Sequence, residues 1–409
     1  MTWPAVPLRR LVVCLDGRRV PLNREQRSDM QGDVPYWGAG GILDSVDTAL
    51  FDEPLVLLGE DGAPFFTPGK DVAYYVEGPS WINNHIHALR PDSVDGRYLA
   101  YALNSVDYAN YITGATRDKL TQDDLKKIEV WNPPTDEQRR IADFLDTETT
   151  RIDTLTNARK WQLSCLEQLW QARLAAKTEE LLAAHGMISL RRMVTSVEQG
   201  WSPQCEDVET SPSEWAVLKT SAVSTGTFVP TEHKRLPSDI KPDFRYRITD
   251  GDILLTRGSG SPAHVGVAVV AHTEGRKLLL SDLLYRVRID HDWSPEFVTL
   301  MLSSPPVRSF MSLLFRGQSG QTIKLRSEDV KAIDIPAAPV GIQAGIARQL
   351  EITRSGIRRT QQAIRRSLTL FAERRQALIT AAVTGQFDVS TASGRNVTDN
   401  LPEPEGVTP

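Results

Sequence analysis

Cysteine is scarce in this sequence: three in 409 residues, Cys14, Cys165 and Cys205, with no CxxC pair and no zinc-like spacing. That excludes a disulfide scaffold and fits a reducing compartment. Long apolar runs are missing too. No stretch approaches the roughly 18 residues that a membrane helix needs, and the opening "MTWPAVPLRRLVVCLDG" lacks a signal-peptide hydrophobic region. A soluble, cytoplasmic chain with no membrane partner is expected. Nor is there a large excess of one charge. Lys and Arg number 47 against 52 Asp and Glu, a formal net charge of −5. This excludes a histone-like polycation but leaves local basic clusters free to meet nucleic acid.

Catalytic constellations are also absent. "WNPPT" from Trp131 comes near the Asn-Pro-Pro-aromatic loop of adenine amino-methyltransferases. Thr135 stands where the aromatic belongs, however, and no glycine-rich cofactor turn followed by a helix precedes it; "WGAGG" at Trp37 is the nearest offer. The bland reading is a proline linker opening a helix at Thr135. "PD" at Pro91 with "DLK" at Asp124 spells a short, common nuclease pattern that has no counterpart in the second half of the chain. "FTPGKD" at Phe66 lacks the first glycine and the hydroxyl of a phosphate loop, and the seven histidines form no HExxH pair. No catalytic residue, metal site or cofactor is assigned to this chain.

What the sequence does contain is itself, twice. "KLTQDDLKKIEV" from Lys119 returns 205 residues later as "KLRSEDVKAIDI" from Lys324. The match runs on without a gap: Pro134 with Pro339, Gln138 with Gln343, Ile141 with Ile346, Ala142 with Ala347, Leu145 with Leu350. A period this long is a whole domain plus a connector. Upstream, "LRRLVVCLDG" from Leu8 aligns with "LRRMVTSVEQG" from Leu190. "VLLGEDGA" from Val56 aligns with "ILLTRGSG" from Ile253 as a buried strand entering a glycine turn, and "YLAYALNS" from Tyr98 with "FVTLMLSS" from Phe297 as an apolar helix. The segments between these anchors diverge.

Proline and glycine vanish between Thr135 and His185, where Leu, Ala, Arg, Gln and Glu dominate. Ile141, Ile152, Leu163 and Leu174 recur every 11 residues, as do Ile346, Ile357, Leu368 and Ile379 in the second copy. Eleven residues make about three turns, so each set is one nearly straight stripe. Two helices of roughly 60–75 Å are expected at 1.5 Å per residue, packed as an antiparallel coiled-coil pair rather than as two unrelated surface helices. These eight residues are the candidate partner-binding set. The fold class read here is α+β: two tandem mixed α/β domains joined by the two helices, pseudo-twofold. The boundaries are 1–133, helix 134–186, 187–339, helix 340–387 and a disordered tail 388–409.

Binding chemistry gathers in the polar loops. "WINNHIHALR" puts Asn83, His85 and His87 on one face if it is a single alternating strand. "TGATRDKL" offers Thr113, Arg117 and Lys119, and "GQSGQTIKL" offers Gln318, Gln321 and Lys324, with Arg257 in "LLTRGSGSP". These are the residue types that touch phosphates and base edges, so Asn83, His85, Thr113, Arg117, Lys119, Arg257, Gln318, Gln321 and Lys324 form the candidate DNA-binding set. The second helix carries Arg354, Arg358, Arg359, Arg365, Arg366, Arg374 and Arg375, either a solvated face or one that lies near phosphates or acids.

Taken together, the duplicated layout, "DEQRRIADFLDTETTRID", "YYVEGPSWINNHIHALRP", "VEQGWSPQCED", "GDILLTRGSGS" and "ERRQALITAAVTGQFDV" resemble the specificity subunits of type I restriction-modification enzymes over nearly the whole length. The resemblance implies two target recognition domains, each reading half of a split double-stranded DNA target. It implies spacer helices that dock two methylation subunits and up to two restriction and translocation subunits. S-adenosylmethionine, ATP and Mg would belong to those partners, and this chain would be non-catalytic. The alternatives are a free-standing DNA methyltransferase or nuclease with an embedded recognition domain, and a coiled-coil scaffold with no DNA role.

Overall fold

A computed structural model describes residues 3–112, 118–317 and 322–389. The fold class is α+β. Contacts divide the chain into two compact units, residues 1–161 with 363–409 and residues 162–362, so each unit takes in half of each long helix. The central helix is Thr135–His185, 51 residues, and the second long helix is Val340–Val383, 44 residues. The central helix opens at Thr135, immediately after Pro133 and Pro134, as the proline-linker reading requires.

In the first unit a four-stranded antiparallel sheet has the order Val12–Cys14, Ile86–Pro91, Leu55–Gly59, Ala73–Val76. A smaller mixed sheet pairs Val34–Gly38 in parallel with Pro79–Ile82. In the second unit the larger sheet is Val194–Gln199, Leu284–Ile289, Ile253–Thr256, Ala268–Val270. There the smaller sheet pairs Trp215–Leu218 in parallel with Lys277–Leu279. All five residues of Leu55–Gly59 and all four of Ile253–Thr256 are buried, which is why both read as unbroken apolar runs rather than alternating ones. The two units are therefore the same fold built twice.

The quoted repeat is the closure of that fold. Leu120, Leu125, Ile128 and Val130 are buried in the first unit, and Leu325, Val330, Ile333 and Ile335 in the second. Glu129–Trp131 pairs with Ala5–Pro7, and Asp334–Pro336 with Met187–Ser189. The Leu8 N–H donates to the Ile128 carbonyl at 2.8 Å, and the Leu190 N–H to the Ile333 carbonyl at 2.8 Å.

Gln138 and Gln343 show why polar residues also repeat. Each side chain is buried. The Gln138 amide accepts from the Asp95 N–H at 2.7 Å and donates to the Pro133 carbonyl at 2.8 Å. Gln343 accepts from the Ser294 N–H at 3.1 Å and donates to the Ala338 carbonyl at 2.9 Å. Asp95 and Ser294 are themselves the N-caps of Gly96–Asn104 and Pro295–Leu302. One glutamine thus ties each long helix to the cap of the helix beside it. Replacing Gln343 by leucine leaves the half-buried Ser294 N–H without its partner and should lower stability by about 1 kcal/mol. Hydrogen exchange in Pro295–Leu302 reports the loss, and unchanged protection there would show that the bond contributes nothing.

In each unit the long helices pack against one another with opposed polarity. Phe144 meets Phe387 in the first unit, with ring centroids 5.5 Å apart, while Asp153, further along, lies 3.7 Å from Arg375. Ile141, Ile152 and Ile379 are buried in the first unit's core, and Leu174 and Ile346 in the second's, while Leu163, Ile357 and Leu368 are half-buried. This corrects the candidate partner-binding set. The five buried members face the chain's own interior, because a stripe that satisfies the helix pair is consumed by it. The apolar side chains left outward on these helices include Leu155, Trp161, Leu169 and Leu370.

Candidate nucleic-acid interface

Each Lys-Leu of the repeat lies beside the polar end of a central strand. In the first unit the strand Leu55–Gly59 runs on into Glu60 and Asp61, and the Leu120 N–H donates to the Glu60 carbonyl at 2.8 Å. In the second, Ile253–Thr256 runs on into Arg257, and the Leu325 N–H donates to the Arg257 carbonyl at 2.9 Å. The backbones of Asp61 and Lys119 form an antiparallel β-bridge, and Gly258 pairs with Lys324 in the same way. The backbones match, so Glu60 and Arg257 hold the same position with opposite charge.

The next strand extends the correspondence. Leu58 pairs with His87, and Leu255 with Tyr285. His87 is fully buried; its Nε2 lies 3.0 Å from the Leu120 carbonyl and its Nδ1 2.7 Å from Asp16 Oδ2. The Tyr285 hydroxyl donates to the Leu325 carbonyl at 3.2 Å. Asp16 also accepts from the Ala88 N–H at 2.9 Å and from Gln122 Nε2 at 2.8 Å. Burial alone would raise its pKa. The hydrogen bond and charge of His87, with the Ala88 and Gln122 donors, outweigh burial and hold the carboxyl far below the usual carboxylate range.

Asp16, Glu60 and His87 are close enough to be considered as metal ligands. Arg19 already fills the cation's place, 3.4 Å from Asp16 and 2.7 Å from Glu60. Because Tyr285 replaces the imidazole in the second unit, the shared role of this position is to hold the Lys-Leu carbonyl, and the cluster is a structural clamp.

The electrostatic outcome differs between the units. In the first, Lys119 reaches Glu60 at 3.3 Å. In the second, the Arg257 guanidinium lies over the Tyr285 ring, 5.9 Å from its centroid. It donates to the Tyr285 hydroxyl at 3.3 Å and to the Asp282 carbonyl at 3.4 Å. Arg316 and Lys324 exchange backbone hydrogen bonds at 2.9 and 2.8 Å. Among the described residues, Arg257, Arg316 and Lys324 have no carboxylate within 4.0 Å. Beside them opens a cavity of about 510 Å³, whose lining includes Gln204, Lys219, Lys234 and Ser281. The Ser281 hydroxyl is buried and makes no hydrogen bond among the described residues.

The candidate DNA-binding residues are thus brought together unevenly. Lys119, Arg257 and Lys324 sit at the strand ends. Thr113, Arg117, Gln318 and Gln321 lie outside the described residues. Asn83, His85 and His87 do not share one strand, which is a correction. Pro79–Ile82 ends before Asn83, and Ile86–Pro91 starts after His85. The break comes from Asn83, whose side-chain oxygen accepts the His85 N–H at 3.2 Å, a local turn that competes with the strand ladder. Asn83 is buried, His85 reaches Asp61 at 3.3 Å and His87 points inward. Arg316, Tyr285 and Gln204 were not singled out from sequence. Arg316 stood one residue before the aligned glycine turn, which was the available signal.

Comparison with known proteins decides between the readings. Residues 12–164 match the family model described as type I restriction modification DNA specificity domain. The chain is 28% identical over 281 residues to the EcoKI specificity subunit of Escherichia coli K12, covering 64% of this chain and 60% of that one. Residues 12–164 therefore carry the DNA specificity domain of type I restriction-modification enzymes, and over a longer span the chain is similar to their specificity subunits. The EcoEI specificity subunit of Escherichia coli is 31% identical over 162 residues, covering 39% of this chain and 27% of that subunit. The chain therefore spans less than two thirds of the length of these two relatives. A chain from a solved structure concerned with assembly and conformational transition of the type I R-M system shares the fold. Its TM-score is 0.63 at 13% identity, over 94% of this chain and 98% of that one. The family model stops at residue 164, so the second unit's likeness to specificity subunits rests on the longer matches and on the internal repeat.

Proposed function

We propose that this chain is the DNA-reading subunit of a type I restriction-modification complex. On this reading residues 1–133 and 187–339 each read one half of a bipartite double-stranded target. The observation that carries it is the charge contrast on one backbone: the same strand-end position is Glu60 beside Lys119 in one unit and Arg257 beside Lys324 in the other. Two readers with a shared scaffold and different contact chemistry are what two different half-sites require. The chain itself is non-catalytic. Two methylation subunits, with up to two restriction and translocation subunits, supply S-adenosylmethionine, ATP and Mg chemistry. Outward apolar residues on the long helices, Leu155, Trp161, Leu169 and Leu370, are available for their docking. Among the described residues no helix is long and apolar enough to cross a membrane.

Fluorescence anisotropy of the purified chain with a mixed-sequence duplex across a salt series tests the reading. Lys324→Ala should flatten the log–log slope by about 0.9, one phosphate contact. Lys119→Ala should change it by less, because Glu60 already neutralises that lysine in the free protein. No saturable binding, or slopes identical to wild type in both variants, would show that these strand ends do not face DNA.

A further inference from the structure

The internal repeat supplies its own control for a second site. Offset by 205 residues, Asp143, Asp146, Thr149 and Asp153 of the central helix match Arg348, Glu351, Arg354 and Arg358 of the second long helix. On the helix packed beside them, Arg97 and Tyr101 match Glu296 and Leu300 by their place after the caps Asp95 and Ser294. In the first unit every acid on this face is answered internally. Arg97 reaches Asp143 at 2.9 Å and Asp146 at 2.7 Å, and the Tyr101 hydroxyl donates to Asp146 at 2.8 Å and lies 3.1 Å from Thr149. Arg375 binds Asp71 in bidentate fashion at 2.7 and 2.9 Å and lies 3.7 Å from Asp153.

In the second unit the same face is basic and its filler is gone. Leu300 replaces Tyr101, and a cavity of about 770 Å³ opens, whose lining includes Arg348, Arg354, Arg358 and Arg359. Two carboxylates, Glu296 and Glu351, also line it. Among the described residues, the one ion pair that these four arginines make is Arg358 to Glu351 at 3.6 Å. Arg354 donates to the Gly226 carbonyl at 2.8 Å and lies over the Trp170 ring at 5.3 Å, and Arg358 donates to the Thr227 hydroxyl at 2.9 Å. Burial, with the like charge of Arg358, pushes the Arg354 guanidinium down to about 10. An adjoining cavity of about 470 Å³ shares Arg354 and adds Arg308, whose burial also lowers its pKa and whose guanidinium donates to the Val265 and Ala263 carbonyls at 2.6 and 3.1 Å.

We propose that this cavity binds a phosphate-bearing small molecule of nucleotide size, its phosphates held by Arg354 and Arg358. Guanidinium forks match phosphate oxygens in bidentate geometry, and the volume lies within the range of small-molecule sites. Phe228, Val269 and Leu300 offer an apolar wall for the remainder of the ligand. The site does not depend on the DNA-reading proposal.

Isothermal titration of the purified full chain with ATP, pyrophosphate and citrate is the test. ATP and pyrophosphate should bind saturably, and citrate at least about tenfold more weakly. Leu300→Tyr and Arg358→Asp install the residues found at the matching positions of the first unit. Arg358→Asp should weaken ATP binding by about tenfold to a hundredfold, the loss expected when a hydrogen bond to a charged group goes, and Leu300→Tyr should weaken it by at least about tenfold by filling the cavity. Should either variant fail to fold by thermal unfolding, the exposed Arg359→Gln replaces it and should weaken binding in the same direction. No binding at millimolar ligand, equal binding of citrate, or full ATP affinity in the folded variants would overturn the proposal. Displacement of ATP by a short duplex at matched phosphate concentration would also overturn it, by giving the cavity to backbone phosphates.

Discussion

Replacing Asp16 by alanine is expected to lower the stability of the first unit by about 3–5 kcal/mol, the scale of breaking a buried, hydrogen-bonded charge. The carboxylate side chain is 3% exposed and answers four groups: His87, the Ala88 N–H, Gln122 and Arg19. Removing it leaves a central-strand N–H and a fully buried imidazole without their acceptor. Hydrogen exchange in Ile86–Pro91 should accelerate by more than a hundredfold, while Leu284–Ile289 of the second unit stays protected. The pH dependence carries a sign. The folded pKa of Asp16 lies below its unfolded value, near 3.9, so its contribution is present above about pH 4 and is lost as pH falls further. Between pH 5 and pH 3 the wild type should lose stability more steeply than Asp16→Ala. Parallel curves, or wild-type exchange rates in the variant, would show that the cluster does not hold this strand.

Arg257→Glu should produce the largest functional effect. It places the first unit's residue in the second unit's frame, removes a cation stacked on Tyr285 and sets a carboxylate beside Lys324. One good bidentate base contact is worth about 1–3 kcal/mol, and a like charge facing phosphates adds to the loss, so affinity for the cognate duplex should fall about a hundredfold. Selection from a randomised duplex pool is the measurement. The wild type should enrich two half-sites at fixed spacing, and the variant should keep one and lose the other. Loss of both, or of neither, would contradict two independent readers. Arg257→Ala, which keeps the fold without the reversed charge, should relax the same half-site and no other.

The repeat makes much of the fold legible in the sequence alone. A buried strand, an apolar helix, a capped turn and a long helix each leave a periodic signal, and seeing each signal twice at one offset removes most chance explanations. Lys119 and Lys324 were correctly paired for this reason: the residues after them, Leu120 and Leu325, are anchored in their cores. The same logic failed at Asn83–His85. Alternation was read through three polar residues, where a side-chain hydrogen bond from Asn83 turned the backbone. It failed again for the helix stripes, since a spacing of 11 residues says which residues share a face but not what covers that face.

By itself, then, the sequence determined the duplication, the two long helices, the α+β class and the family likeness, because those depend on local propensity and on periodicity. Tertiary structure alone decided which charges meet. Glu60 neutralises Lys119 because a strand 59 residues earlier ends beside it, while Arg257 in the same place leaves Lys324 unpaired among the described residues. Arg97 fills a face of acids, and Glu296 leaves its arginine-lined counterpart open. Coulomb energies fall off with distance through space, and distance along the chain does not report it.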